Sequence, residues 1–298
     1  MKINSINLND DWLNLIKREL TVNGYDLTGL DDARISISYF TLKMKRIPVR
    51  QREIRKANNF SCPPELQAGL ELVEQKILSG IDLKAHLSRS LKALSGKDGL
   101  LFDWDIYHLH LGTVLQSDGF VNRTGPVLYA RFDYSVAYFI NVLEHGNWTK
   151  QEFLKIIHAE WPESIATHRV ADVEGVANRF DDNELKQLRD EQINTLIEVE
   201  PGVVYLGPGG GIALSGDSSD AVHKHLTRIR DLKHLEKTIK SDPYGFMIFF
   251  FGESDSIVHE DLQFQLRQNV DEIRLHERNN NLDVSLIEAL SYSRDRKH

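Results

Sequence analysis

Two apolar runs, Val127–Phe132 and Ala137–Leu143, are separated by only four residues, of which Asp133-Tyr134-Ser135 form the polar turn. Short aromatic and β-branched runs joined by a polar tripeptide read as an antiparallel hairpin. A further strand is read upstream at Phe102–Leu111, followed by a loop containing Gly119. This cluster of strands is the sheet signature of the chain.

The rest of the chain arranges itself around that sheet. A short helix is expected near Asp11–Glu19. Ala33–Met44 alternates enough to read as a strand. Pro63-Pro64 opens a helix whose apolar positions Leu66, Leu70, Leu72, Val73 and Ile77 repeat at helical spacing, and Gly80 ends it. A second short helix is read at Leu83–Leu94, and another runs from a Thr149 cap to Glu160, before Trp161-Pro162. Residues 163–200 read as polar and largely helical. Beyond them, Val203–Leu206 and Ile212–Leu214 flank Gly207-Pro208-Gly209-Gly210-Gly211 as a hairpin. A long helix is expected over Ser219–Lys240, a buried strand at Phe246–Phe251, and a helix over Asp255–His276. The class is therefore α+β. A small antiparallel-type sheet packed with helices forms a first domain, 1–164. A second α+β domain spans 165–298.

With 298 residues, 41% hydrophobic and 27% charged, the chain has the composition of a globular protein of one large or two ordinary domains. Its one cysteine, Cys62, leaves no internal disulfide framework and no zinc site built from several thiolates. The N-terminus lacks the apolar core of a secretory signal. The longest apolar run, Phe246–Phe251, falls far short of the ~20 residues a membrane helix needs. A cytoplasmic protein without a membrane segment is expected.

Charge is unevenly spread. Residues 1–100 hold 16 Lys/Arg against 12 Asp/Glu, a net +4, so residues 101–298 carry −12 of the chain's total of −8. The positive charge concentrates in Lys43–Lys56, KMKRIPVRQREIRK, where Glu53 is the one acidic residue. Such a segment favours a polyanion, or is a solvated linker. The acidic remainder argues against general coating of nucleic acid and offers a surface for a protein partner.

His108 and His110 share one face of their strand, because successive side chains alternate. Paired imidazoles transfer protons or contact phosphate, ligate a metal with His145 as a third ligand, or simply decorate a half-exposed sheet. Counting by twos along Ala137–His145 puts His145 on the face of Phe139 and Leu143. No carboxylate follows the pair at the spacing of a cupin. The glycine cluster lacks the Gly-Lys-Ser/Thr of a phosphate loop. Neither a cofactor nor a bound metal is therefore the first expectation.

The order strand, helix, helix, strand, strand, strand, helix across residues 33–161 resembles the BECR class of RNase folds, which includes the RelE-like toxins. The stretch Arg123-Thr-Gly-Pro-Val-Leu-Tyr-Ala-Arg131, followed by Ala137-Tyr-Phe-Ile-Asn-Val-Leu-Glu-His145, is similar to their paired strands carrying Arg, Leu-Tyr, Val and His. The chain also resembles uncharacterised bacterial mobile-element proteins that carry HLHLG and a Trp-Pro after the helix. The RelE-like resemblance implies a metal-independent endoribonuclease, a toxin or defence effector, with His108, His110, Arg123 and His145 on the active face. In such chemistry Tyr129 or Trp148 would stack a base. Arg131 and the basic residues Lys45, Arg46 and Arg50 would contact phosphates of an RNA partner. The alternatives are a metal-dependent hydrolase with His ligands and a non-catalytic protein- or nucleic-acid-binding protein.

Overall fold

In the computed structural model, which describes all residues but 95, 147–149, 253–256, 270–271 and 297–298, the apolar hairpin forms where the sequence puts it. The Asp133 carboxylate closes its turn by accepting the amides of Ser135 and Val136 and the hydroxyl of Tyr138.

In chain order the elements begin with β1 (Lys2–Ser5), α1 (Leu8–Val22), α2 (Asp32–Lys45), β2 (Glu53–Lys56), α3 (Gln67–Ser79) and α4 (Gly99–Trp104). The sheet strands β3 (Tyr107–His110), β4 (Pro126–Phe132) and β5 (Val136–Glu144) follow, then α5 (Glu152–Glu160) and α6 (Asp182–Asp190). Next come β6 (Ile197–Glu200), β7 (Val203–Tyr205), α7 (Ser219–Ser241) and α8 (Pro243–Phe251). The last elements are β8 (Asp261–Asn269), β9 (Glu272–Glu277), β10 (Leu282–Ser285) and α9 (Leu286–Asp295). Helices and small mixed sheets make this an α+β protein. Among the described residues no helix is long and apolar enough to cross a membrane.

Two compact units result: Met1–Tyr39 with His223–His298, and Phe40–Val222. The expected boundary near 165 is displaced for a physical reason. Ile165, Leu185, Ile197, Val199, Val203 and Tyr205 are buried in the same core as Val127, Tyr129 and the α5 residues Phe153 and Ile157. Residues beyond 165 thus complete the core of the hairpin rather than begin a new one. The other unit has its own sheet, ordered β1-β8-β9-β10.

Several elements differ from expectation. Ala33–Met44 is not a strand but part of α2: Ile35, Tyr39 and Leu42 are buried at helical spacing, and Asp31 accepts the Arg34 amide at its start. Phe246–Phe251 belongs to helix α8, capped by Asp242, which accepts the Gly245 amide. The segment expected as a helix to His276 instead forms β8 and β9, with Leu262, Phe264 and Leu266 buried alternately. Leu83–Leu94 makes two short 3-10 turns. Residues 163–200 are helical only in part, in a 3-10 helix over Pro162–His168 and in α6, and much of the rest is irregular. The expected strand Phe102–Leu111 splits into α4 and β3, with Asp105 left-handed at φ 56° between them. The glycine cluster is no hairpin turn. Its amides at Gly209 and Gly211 donate to Asp103 and Phe102 carbonyls at the end of α4, and β7 pairs with β6. The expected Thr149 cap lies outside the described residues.

The sheet that carries His108 and His110 is ordered β2-β5-β4-β3, with β2 parallel to β5 and the other pairs antiparallel. Residues directly opposite each other share a face. His108 opposes Tyr129 and His110 opposes Val127, so the His pair stands on the sheet face whose interior residues pack on α5. A β-bulge shifts the β4–β5 register between Tyr129 and Ala130. Asn141 therefore opposes Tyr129, while Phe139 opposes Ala130 on the opposite face. Leu143 opposes Val127, and His145, two residues on, joins the face of His110. The equal counting by twos from Ala137 to His145 fails at this bulge.

Helix α3 lies hard against the end of β3. A Cβ on Gly69 would sit 1.7 Å from the Leu111 carbonyl oxygen, so the contact requires glycine. Gly69→Ala is expected to lower stability by roughly 1–3 kcal/mol, read as a shift of the urea midpoint at unchanged slope. Gly125→Ala serves as control, since its Cβ meets only Glu144 Oε2 at 3.5 Å. Equal midpoints for the two variants would contradict this packing.

Candidate functional site

Four residues expected from sequence to act together do converge. His108 and His110 come from edge strand β3, His145 from the residue after β5, and Arg123 from the connection between β3 and β4. The imidazole centroids lie 6.5 Å apart for His108 and His110, 5.4 Å for His108 and His145, and 5.9 Å for His110 and His145. All four side chains line one cleft of ≈ 340 Å³.

Local hydrogen bonds explain the convergence. The His145 amide donates to Gly125 O at 3.1 Å, which extends the β4–β5 ladder past β5. The Tyr129 hydroxyl donates to Glu144 O at 3.1 Å and anchors the same strand end from inside the core. Thr124 clips the β3–β4 connection: its hydroxyl accepts the Leu111 amide and donates to Pro126 O. Arg89 holds the outer part of that connection through Gln116, Asp118 and the Val121 carbonyl.

Each imidazole has a distinct environment. His110 is 5% exposed, and its Nδ1 accepts the Thr124 amide at 3.3 Å. Because an amide only donates, neutral His110 carries its proton on Nε2. Burial pushes its pKa down to about 4, helped by His108, His145 and Arg123. His108 is 7% exposed, with Nδ1 3.8 Å from Asp98 Oδ2. Burial lowers its pKa, Asp98 opposes the shift, and His145 adds to it. Asp98 is held in place because its Oδ1 caps α4 by accepting the Leu101 amide at 3.1 Å. His145 is the exposed member of the three. Burial and Arg123 lower its pKa, against Asp98.

Lys97, Lys186, Arg189, Asp98 and Asp190 also line the cleft, alongside Ser88 and Ser90. Sequence reading missed these residues. Asp98 had a readable signal, an Asp directly before the apolar run Gly-Leu-Leu-Phe that begins a helix. Lys186 and Arg189 lie three apart on α6, after a capping box of Asp181 and Glu184. Their distance along the chain from the sheet hid them. Arg189 is already engaged: Nε donates to Asp103 Oδ2 at 3.2 Å, and the guanidinium lies 4.8 Å from the Trp104 ring.

The expected substrate contacts fare differently. Tyr129 is fully buried against Phe153, with ring centroids 4.7 Å apart, so it stacks on the core and not on a base. Arg131 is buried and paired with Asp105 at 3.3 Å. Lys45 is buried, donates to Gly96 O and faces the Phe102 ring, which removes it from any phosphate track. Arg50 lies over the Tyr134 ring at 3.9 Å. Neither it nor Arg46 is among the described residues lining the cleft. Trp148 lies outside the described residues. Among the described residues, no group of three or more His, Cys, Asp or Glu side chains is arranged to hold a metal ion. Comparison with protein families, with curated proteins and with solved structures finds no match.

The depressed pKa of His110 links stability to pH. The unfolded imidazole titrates near ~6.5, while the folded one titrates at about 4. Between these values the unfolded chain binds the extra proton, so this contribution is complete above pH 6.5 and is lost as pH falls to 4. It amounts to roughly 1–3 kcal/mol. Denaturant titrations across this window should show the loss, and His110→Gln should reduce it. A variant with the wild-type slope would refute the assignment.

Proposed function

We propose that the protein is an endoribonuclease-like enzyme that cleaves RNA without a metal, with the cleft of His108, His110, His145 and Arg123 as its active site. The observation that carries this reading is the meeting of three imidazoles, each held toward its neutral form, with an arginine in one cationic cleft. RNA supplies its own nucleophile, the ribose 2′-hydroxyl. The site then needs only a base, an acid and cationic stabilisation of the phosphorane.

The roles follow from the surroundings of each ring. His108, backed by Asp98 at Nδ1, offers Nε2 as the base that takes the 2′-hydroxyl proton. The 2′-oxygen then bonds to phosphorus as the P–O5′ bond breaks. His145, at the exposed rim, gives its proton to the departing 5′-oxygen. The products are a 2′,3′-cyclic phosphate and a 5′-hydroxyl. His110 donates Nε2–H to a non-bridging oxygen, and Arg123 neutralises the same group. An entering phosphate raises the proton affinity of nearby imidazoles, which charges His145 for its acid role. Lys97 and Lys186 supply flanking positive charge.

The resemblance to RelE-like toxins supports the same reaction. Two elements of the order it was read from differ: residues 33–44 are helix α2 and not the first strand, and Leu83–Leu94, the expected second helix, forms 3-10 turns. The support therefore comes from the paired strands β4 and β5 with Arg123 and His145.

Purified protein should cleave single-stranded RNA in EDTA and leave a 2′,3′-cyclic end. A substrate with deoxyribose at the scissile position should stay uncut. His108→Ala should cost roughly 10²–10⁴-fold in kcat, and Arg123→Ala roughly 10²–10³-fold. Intact RNA with well-folded protein would sink the proposal. Cleavage that vanishes in EDTA and returns with a divalent cation would favour a metal-dependent hydrolase.

A further inference from the structure

We propose that His86, in a hydrogen-bonded chain starting at Lys76, is a positioning residue that holds the His110 backbone so that its ring, kept as the Nε2–H tautomer by Thr124, donates into the cleft. The inference rests on reading that cleft as a phosphodiester-cleaving site.

His86 is 1% exposed and does not belong to the described cleft lining. Its Nδ1 lies 2.8 Å from the His110 carbonyl oxygen. A carbonyl only accepts, so Nδ1 carries a proton. Its Nε2 lies 3.0 Å from Lys76 Nζ. An ammonium only donates, so Nε2 offers its lone pair. Both ring nitrogens of His86 are thereby assigned, and the ring is neutral. At the far end, Thr124 N–H assigns His110 Nδ1 as an acceptor in the same way.

The chain of donors runs in one direction: Lys76 to His86, and His86 to the His110 backbone. His110 is held at its carbonyl by one donor and at its ring by another. Protonating His110 would set Nδ1–H against the Thr124 N–H. Burial, with His108, His145 and Arg123 nearby, brings its pKa down to about 4 and leaves the ring uncharged. His110 therefore works as an uncharged hydrogen-bond donor to a phosphate oxygen. The base and acid roles are left to His108 and His145.

Helix α3 supplies the lever. Lys76 lies two turns after Gly69, on the same side of the helix. Gly69 touches the Leu111 carbonyl, and Lys76 reaches the His110 carbonyl through His86. The helix thus grips two successive peptide units at the end of β3. A buried imidazole with an ammonium partner costs desolvation that a leucine would not. A local rule broken in the interior beside a candidate site fits a positioning role.

The test combines imidazole nitrogen shifts with kinetics. In ¹⁵N-labelled wild-type protein at pH 7, His110 should show an unprotonated Nδ1 and a protonated Nε2. His86→Leu, which fills the space without the donor, should perturb these signals. It should also lower kcat on a short RNA by roughly 10- to 100-fold, with KM little changed. His86→Asn, which keeps an N–H where Nδ1–H stood, should restore most of the rate. Should His86→Leu fail to fold, Lys76→Met takes its place with the same expected direction. A wild-type His110 protonated on Nδ1 at pH 7 overturns the inference. So do unchanged signals and unchanged kcat in a folded variant. If wild-type protein leaves RNA intact, the change in the His110 nitrogen shifts on His86→Leu decides the brace: perturbed signals would support it while the cleavage reading falls, and unchanged signals would overturn both.

Discussion

Burial of the sheet face that carries Val127 and Tyr129 governs the rest of the Phe40–Val222 unit. That face collects apolar residues from α5, from the 165 region and from β6 and β7. A polar side chain standing there must find partners or shed its charge. His108 and His110 are its polar members on the edge strand; burial disfavours charge on both, and His110 also accepts the Thr124 amide. Desolvation is the first cause of the lowered pKa in each, and in His145 as well. The core thus sets the protonation of the cleft.

The three imidazoles also titrate as a set. His145 lowers His108, and His108 and His145 lower His110. A proton taken by one makes the next harder to add, so the protons belong to the cluster more than to any ring. Asp98 tilts this sharing toward His108 and His145, since it favours charge on both. Burial and Arg123 tilt it away from His110. Charge is therefore disfavoured most plainly on His110, with Asp98 drawing it toward the other two rings.

Much of this was legible in residue order, and the failures have physical causes. Alternation placed His108 and His110 on one face, and the hairpin brought Arg123 and His145 to the same end of the sheet. Residues 33–44 satisfied a strand period and a helix period together, and only burial of Ile35, Tyr39 and Leu42 on one side decided for helix. Tyr129 and Arg131 looked available because their tips are polar. Their strand is covered on that face by residues beyond 150, which nothing local reveals. Asp98 and Lys186 reach the cleft from separate helices, so no motif spacing could join them to the histidines. The buried pairing of Lys76 with His86 likewise exists only in three dimensions.

The bulge between β4 and β5 carries a consequence for how this chain tolerates length change. Phe139 and His145 are six residues apart, an even step, yet they occupy opposite faces because Ile140 is an extra residue in the strand. Removing position 140 would leave a regular strand with both ends still in phase. Removing any neighbour beyond the bulge would turn either the core half or the histidine half inside out. The strand therefore has two reading frames spliced at one residue. A chain of the same fold lacking that extra residue would need a gap there to align the residue that completes the cleft.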